Sequence, residues 1–126
     1  MSLRSPLGRV LGLGSAKEGT GHWLAQRVSA VALIPLTLWF MFSLLALPAL
    51  DYATARAWLS NPLSGFLAVL LIAVLTHHSY LGTIEVIEDY VPSAGSKFLS
   101  LLFLRFLYVL VGGASLFAIL RVAFSP

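Results

Sequence analysis

Residues 28–50 have the sequence VSAVALIPLTLWFMFSLLALPAL, which contains no formally charged side chain. At about 1.5 Å per residue, a helix of this length crosses a hydrocarbon core about 30 Å thick. Pro35 and Pro48 lie within the stretch. Membrane helices tolerate such prolines because neighbouring helices and water satisfy the freed carbonyl groups. The stretch therefore predicts a first transmembrane helix.

Two more apolar stretches follow, over residues 63–88 and 102–123. The first of these carries no formal charge before Glu85, so it is also long enough to span a membrane. Residues 51–62, which precede it, are rich in polar and turn-forming types and predict an interfacial loop. The sequence therefore predicts an all-α membrane protein with three transmembrane helices.

Two arginines, Arg105 and Arg121, interrupt the third apolar stretch near its ends. The helix between them is about 22 Å long, and arginine side chains extend toward the headgroups from the ends of an apolar segment. We interpret both arginines as markers of the ends of the third span. The chain is then divided into an N-terminal segment over residues 1–27 and a three-helix transmembrane domain over residues 28–126.

The amino-acid composition agrees with a membrane location. Of the 126 residues, 59% are hydrophobic and 10% are charged, whereas about 25% are charged in ordinary globular proteins. A small globule buries only about 60–70% of the surface of its unfolded chain, so the remaining apolar surface must face lipid or other subunits. These values exclude a soluble enzyme, a disordered segment and a free-standing nucleic-acid binder. The absence of cysteine also excludes an iron–sulfur or zinc–thiolate site built from this chain.

The basic residues are scattered along the chain and indicate its orientation rather than a nucleic-acid partner. Cytoplasmic loops of membrane proteins are enriched in lysine and arginine. One side of the predicted bundle carries Arg4, Arg9, Lys17, Arg27, Lys97 and Arg105, and the other carries Arg56 and Arg121. The N-terminus and the second loop are therefore predicted to be cytoplasmic. We expect a bacterial cytoplasmic membrane, with the mitochondrial inner membrane as the alternative.

The second span contains a string of polar residues, THHSYLGTIEVIEDY, over residues 76–90. Ionisable side chains within a span are costly and indicate a functional site. At about 100° per residue, His78, Glu85 and Asp89 fall on one face of the helix. Gly82 lies one turn after His78 on that face and removes a side chain from beside the imidazole. This pattern is typical of an axial haem ligand, whose opposite ligand would come from another chain.

The histidines also have other possible roles. An intramembrane histidine also serves as a hydrogen-bonded packing residue, and His77 is a second candidate that points about 100° away from His78. His22 precedes the first span and is predicted to be interfacial.

The second span ends in two carboxylates and a phenol, from Glu88, Asp89 and Tyr90. A phenol can donate a hydrogen bond to a carbonyl oxygen, and a nearby carboxylate can relay protons. Quinone reduction needs both functions, because its two electrons are matched by two protons. The alternative is a solvated acidic helix end with an interfacial tyrosine.

The joint placement of these residues resembles a known family. His78, Gly82 and the Asp89-Tyr90-Val91 sequence, at the end of the second of three spans, resemble the small hydrophobic membrane-anchor subunit (D subunit) of succinate dehydrogenase, respiratory complex II. Residues 21–30, GHWLAQRVSA, are similar to that family's segment before the first span. The resemblance covers nearly the whole chain in the number and order of spans.

The resemblance implies that a second three-helix anchor subunit, a cytochrome b, pairs with this one and that haem b lies between them. His78 would be one axial ligand to the haem iron. Tyr90 would bind ubiquinone with Asp89 beside it, and Arg27 and His22 would lie toward a haem propionate or its polar network. FAD and iron–sulfur clusters would be held only by a flavoprotein and an iron–sulfur partner subunit, which pass electrons from succinate to ubiquinone.

Three other functions are considered beside this one. The first is the anchor of a related quinol:fumarate reductase, which runs the reaction in reverse. The second is a small proton-coupled transporter that uses His77, His78 and Glu85 as a relay. The third is an assembly subunit in which these polar residues only pack against partners.

Overall fold

The computed structural model describes residues 5–10 and 17–126, and all regular secondary structure in these ranges is α-helical. The helices are α1 (Pro6–Val10), α2 (Lys17–Ala46), α3 (Tyr52–Ser60), α4 (Pro62–Tyr90) and α5 (Ala94–Ala123). Three of them contain segments long and apolar enough to cross a membrane: Gly19–Ala46, Pro62–Tyr90 and Ala94–Ala123. The predicted all-α architecture with three spans is confirmed. Arg4, which contributes to the predicted orientation, lies outside the described residues, and the orientation itself stays a prediction.

Helix α2 ends at Ala46, before the end of the predicted first span. Proline lacks the N–H that a helix interior requires, and it disfavours helical backbone in the residue before it. Pro48 therefore follows the helix, and the prediction that it lies within the first helix is wrong. Pro35 does lie inside α2.

The predicted loop over residues 51–62 contains a helix, α3, so the prediction of a loop throughout is wrong. Asp51 caps this helix by accepting a 2.8 Å hydrogen bond from the backbone N–H of Thr54. The same bond holds the pKa of the Asp51 carboxyl below its usual value of 3.8. The cap therefore stabilises α3 at neutral pH and is lost as the pH falls through this lowered pKa.

A single residue, Asn61, separates α3 from α4. Its backbone N–H donates to the carbonyl of Trp58, which closes α3. Its side-chain oxygen accepts from the backbone N–H groups of Leu63 and Ser64, which begins α4. Pro62 fits directly after the cap because the first helical position needs no N–H.

Helix α5 begins at Ala94, with Ser93 as its N-cap. Arg105 consequently lies well inside the helix, and its assignment as an end of the membrane-crossing part stays a prediction. Arg121 does lie in the last turn, where a cation is favourable beside the unpaired carbonyl groups.

Helix α4 lies at the centre of the fold. It contacts α2 on one side and α5 on another, whereas α2 and α5 do not contact each other in the described part of the chain. Helix α3 packs across one end, against α4 and α5. Trp58 of α3 also stacks on Trp39 of α2, with ring centroids 5.7 Å apart. The short helix thus connects all three long helices at the end of the bundle opposite Tyr90.

The backbones of α4 and α5 approach closely at Gly112. A methyl group built on Gly112 would lie 2.7 Å from Thr76 Cγ2, so only glycine fits this contact. Seven residues after Thr76 on α4, Thr83 Oγ1 donates to the Ser79 carbonyl at 2.8 Å. The Tyr108 hydroxyl, 2.9 Å from Thr83 Oγ1, must then donate to it, because the threonine has only one hydroxyl proton.

We predict that Gly112→Ala destabilises the protein whereas the adjacent Gly113→Ala does not. The new methyl group at position 112 meets a stiff β-branched side chain, and such overpacking costs about 1–3 kcal/mol. At position 113 it meets nothing within 4 Å, and alanine favours the helix by about 1 kcal/mol over glycine. The thermal unfolding midpoints of the two purified variants measure the difference. Equal midpoints would contradict the assigned contact.

Few side chains are buried by the chain's own packing. The buried apolar side chains among the described residues are Leu36, Ala68, Leu71, Leu81 and Leu104. In an apolar 18-residue part of each candidate span, 11–17% of the residues are buried within the chain. Lipid and partner subunits must therefore cover most of the apolar surface.

Candidate functional site

A hydrogen bond between α2 and α4 fixes the position of His78. Ser29 Oγ lies 3.0 Å from His78 Nδ1 and also 3.0 Å from the backbone carbonyl oxygen of Gln26. Ser29 is 6% exposed and is the only buried polar residue in the described part of the chain. The contact therefore lies within the packed interface of the two helices.

The proton on Ser29 decides the chemical form of the imidazole. A serine hydroxyl has one proton, and the Gln26 carbonyl can only accept, so Ser29 donates to Gln26. With this assignment Ser29 Oγ accepts from His78, and the His78 ring carries its proton on Nδ1. In the neutral ring this leaves Nε2 with a free lone pair. His78 is thereby prepared to bind a metal ion or accept a proton through Nε2.

Two further α2 side chains lie on the same face as Ser29. His22, Gln26 and Ser29 follow at intervals of four and three residues, which is the spacing of one helical face. A methyl group built on Gly82 of α4 would lie 3.4 Å from Gln26 Nε2. The space beside Gly82 is therefore occupied by this amide, and the glycine allows α2 and α4 to approach rather than leaving an open face beside His78.

Two polar atoms of this cluster have no hydrogen-bond partner in the described part of the chain. They are His22 Nε2 and Gln26 Oε1, and both are buried. Burying an unpaired polar atom costs about 1–3 kcal/mol. The two atoms lie one helical turn apart on α2, so they form one polar spot that lacks a partner within this chain.

Arg27 is not part of this cluster. It is exposed on a different face of α2, and its guanidinium lies over the ring of Trp23, 5.5 Å from the centroid. A cation over an indole is a favourable pairing.

The two neighbouring histidines lie in different surroundings. His77 lines an open groove of about 330 Å³ between α4 and α5, together with Tyr80, Arg105 and Tyr108. His78 instead contacts α2 through Ser29. The structure thus separates two residues that the sequence alone left as competing candidates.

The last turns of α4 present acidic and phenolic groups at the surface. Glu85, Asp89 and Tyr90 are exposed, and Tyr90 is 80% exposed. Lys97 Nζ donates to the carbonyl oxygen of Glu88 at 2.9 Å, which places a cation at the negative end of the helix dipole. Asp89 and Tyr90 are therefore held at a capped helix end and are open to a ligand or partner.

Sequence reasoning assigned no role to Ser29 or Gln26, although both belong to this cluster. The sequence feature that points to them is their spacing from His22, which places all three residues on one face of α2. Polar side chains in a span commonly hydrogen-bond to a neighbouring helix. The identity of that neighbour was not contained in the pattern.

Comparison with known proteins decides the family. Residues 1–112 match the family described as succinate dehydrogenase/fumarate reductase transmembrane subunit. The chain belongs to this family. The succinate dehydrogenase hydrophobic membrane anchor subunit of Rickettsia bellii (strain RML369-C) is 39% identical over 90 residues, which cover 70% of each chain.

Two other anchor subunits are also similar. That of Paracoccus denitrificans is 37% identical over 86 residues, covering 68% of this chain and 67% of its own. That of Rickettsia conorii (strain ATCC VR-613 / Malish 7) is 33% identical over 79 residues, covering 62% of this chain and 63% of its own. The predicted resemblance is confirmed. As a member of the succinate dehydrogenase family, the chain is a membrane-anchor subunit that acts in a complex with other subunits.

Proposed function

We propose that this anchor subunit supplies His78 as one axial ligand to a haem b and forms part of a ubiquinone-reduction site with Asp89 and Tyr90. The complex would be a succinate:ubiquinone oxidoreductase in a bacterial cytoplasmic membrane. The observation that carries the proposal is the Ser29–His78 hydrogen bond, which leaves the lone pair on Nε2 of His78 free to coordinate a metal ion.

The single imidazole that His78 offers fits a haem shared between two chains. Metal-ligating histidines commonly donate their other ring N–H to a fixed acceptor, and Ser29 Oγ is such an acceptor. His78 would hold the haem iron from this chain, with its imidazole in a defined form. The second ligand would come from a second three-helix anchor subunit. When bound, the haem supplies a one-electron redox couple within the membrane.

The unpaired atoms of His22 and Gln26, on the same face of α2 as Ser29, support a polar group at this place in the complex. An N–H at His22 Nε2 can donate to a carboxylate, which matches the prediction that His22 lies toward a haem propionate. Gln26 adds an amide to the same polar spot. The corresponding role for Arg27 stays a prediction, since its guanidinium lies over Trp23 in this chain.

Asp89 and Tyr90 fit the needs of quinone reduction. The Tyr90 hydroxyl can donate a hydrogen bond to a quinone carbonyl oxygen, and the Asp89 carboxylate can pass protons toward it. Their exposure in this chain leaves them free to contact an iron–sulfur subunit, which would deliver electrons taken from succinate by a flavoprotein subunit. With the predicted orientation, this helix end lies on the cytoplasmic side.

The proposal is tested on the complex purified through a tag on this chain after gentle solubilisation. We expect a flavoprotein, an iron–sulfur protein and a second anchor to co-purify. We also expect a b-type signal in the dithionite-reduced minus oxidised spectrum and succinate:quinone reductase activity. The same partners without a b-type signal would remove the haem from the proposal. Purification without redox partners would overturn the proposal as a whole.

A further inference from the structure

Ser29 needs no partner beyond its own helix. Its hydroxyl proton already bonds to the Gln26 carbonyl, which is a local contact within α2. The second contact, to His78 Nδ1, joins residues 49 positions apart and uses the remaining acceptor capacity of the hydroxyl. The imidazole N–H of His78, in contrast, needs Ser29 Oγ as its hydrogen-bond acceptor.

We propose that Ser29 is a positioning residue that holds the His78 ring in its Nδ1-protonated form and sets the reduction potential of the haem. This inference rests on the proposed function, because it requires that His78 bind the haem iron. Ser29 lies on α2 and His78 on α4, so α2 controls a ligand that α4 carries.

The control acts through the electron density of the ring. An imidazole whose N–H donates a hydrogen bond is a more basic ligand at its other nitrogen. A more basic ligand favours ferric over ferrous iron and lowers the reduction potential. The effect is strengthened because Ser29 itself donates to Gln26, and successive hydrogen bonds in such a chain polarise one another.

The same bond fixes the rotation of the ring. Nδ1 must point at Ser29 Oγ to keep the 3.0 Å contact, so the direction of the Nε2 lone pair is fixed by the packing of α2 on α4. The direction of an axial imidazole affects the electron paramagnetic resonance spectrum of low-spin ferric haem. Removal of the hydroxyl should therefore change two independent observables.

The test compares Ser29→Ala, Ser29→Thr and wild type in the intact purified complex, by redox titration of the b-type absorbance. At the wild-type midpoint potential, Ser29→Ala should raise the ratio of reduced to oxidised haem by about three- to tenfold, because the lost hydrogen bond supports the ferric state more than the ferrous state. A tenfold change corresponds to about 59 mV for one electron. Ser29→Thr keeps the hydroxyl and should restore the wild-type potential and spectrum.

Ser115→Ala is the matched control. Ser115 also donates to a carbonyl of its own helix, that of Val111 at 2.8 Å, but it lies on α5 and is hydrogen-bonded to no histidine in the described part of the chain. It should leave the potential unchanged. If Ser29→Ala abolishes haem binding, retention of haem by Ser29→Thr supports the inference.

Two results would overturn the inference: a Ser29→Ala complex with wild-type potential and spectrum, or a Ser29→Thr complex that is no closer to wild type than Ser29→Ala. Either result leaves His78 as a ligand. Haem bound unchanged in His78→Ala would instead remove the proposed function on which the inference rests.

Discussion

Substitution of His78 by alanine is expected to remove the b-type haem signal from the purified complex, whereas His77→Ala is expected to retain it. The two residues are adjacent in sequence and chemically identical, so the pair controls for the loss of an imidazole as such. Only His78 has its Nδ1 paired with Ser29 and its Nε2 free. His77 faces the groove between α4 and α5, away from α2.

The His78→Ala subunit should still fold and assemble. Ser29 keeps its hydrogen bond to the Gln26 carbonyl after the imidazole is removed, so no buried donor is left without a partner. The remaining cost is the lost side-chain packing, which for most single substitutions is about 0.5–3 kcal/mol. Co-purification of the other subunits measures assembly, and the reduced-minus-oxidised spectrum measures haem.

The reverse pattern, in which His77→Ala loses the haem and His78→Ala keeps it, would move the ligand to the other face of α4. Equal retention of haem in both variants would exclude both His77 and His78 as ligands to the haem iron. In either case the succinate dehydrogenase family assignment is unaffected, because it rests on the sequence match over residues 1–112.

The three spans could be predicted from the sequence because membrane crossing depends on local properties. A charge-free stretch of sufficient length has few alternatives to a transmembrane helix. The same reasoning placed His78 and Asp89 on one face of the second helix, and the continuous helix Pro62–Tyr90 carries both residues. Helix periodicity alone was sufficient for this part of the candidate site.

The partner of His78 could not be predicted, because it depends on how two helices are aligned with each other. Ser29 and Gln26 reach α4 only at one rotation and one axial shift of α2, and neither quantity is contained in a single helix's pattern. Helix α3 was missed for a different reason. It is only nine residues long, and its boundaries at Asp51 and Asn61 are also turn-forming residues. Residue types that cap a helix are also those that favour a turn or loop, so the pattern does not distinguish the two.

The substitution Tyr90→Phe is expected to lower succinate:quinone reductase activity by about a hundredfold or more. Loss of one well-placed donor to a developing oxyanion typically slows a reaction by about a hundredfold or more. Electron transfer from succinate to a soluble dye, which does not require the quinone site, should stay at the wild-type level. The phenol is 80% exposed in this chain, so its hydroxyl contributes nothing to the packing of the three helices.

Tyr52→Phe is the matched control for Tyr90→Phe. Tyr52 is also an exposed tyrosine, 66% accessible, but it begins α3 at the end of the bundle opposite Tyr90. Helix α4, whose 29 residues are about 44 Å long, separates the end of the bundle that carries α3 from the end that carries Tyr90. A quinone held near Tyr90 is therefore insensitive to Tyr52. Equal loss of quinone reduction in the two variants would point to a general effect of interfacial tyrosines, and unchanged activity in Tyr90→Phe would remove this residue from the quinone site.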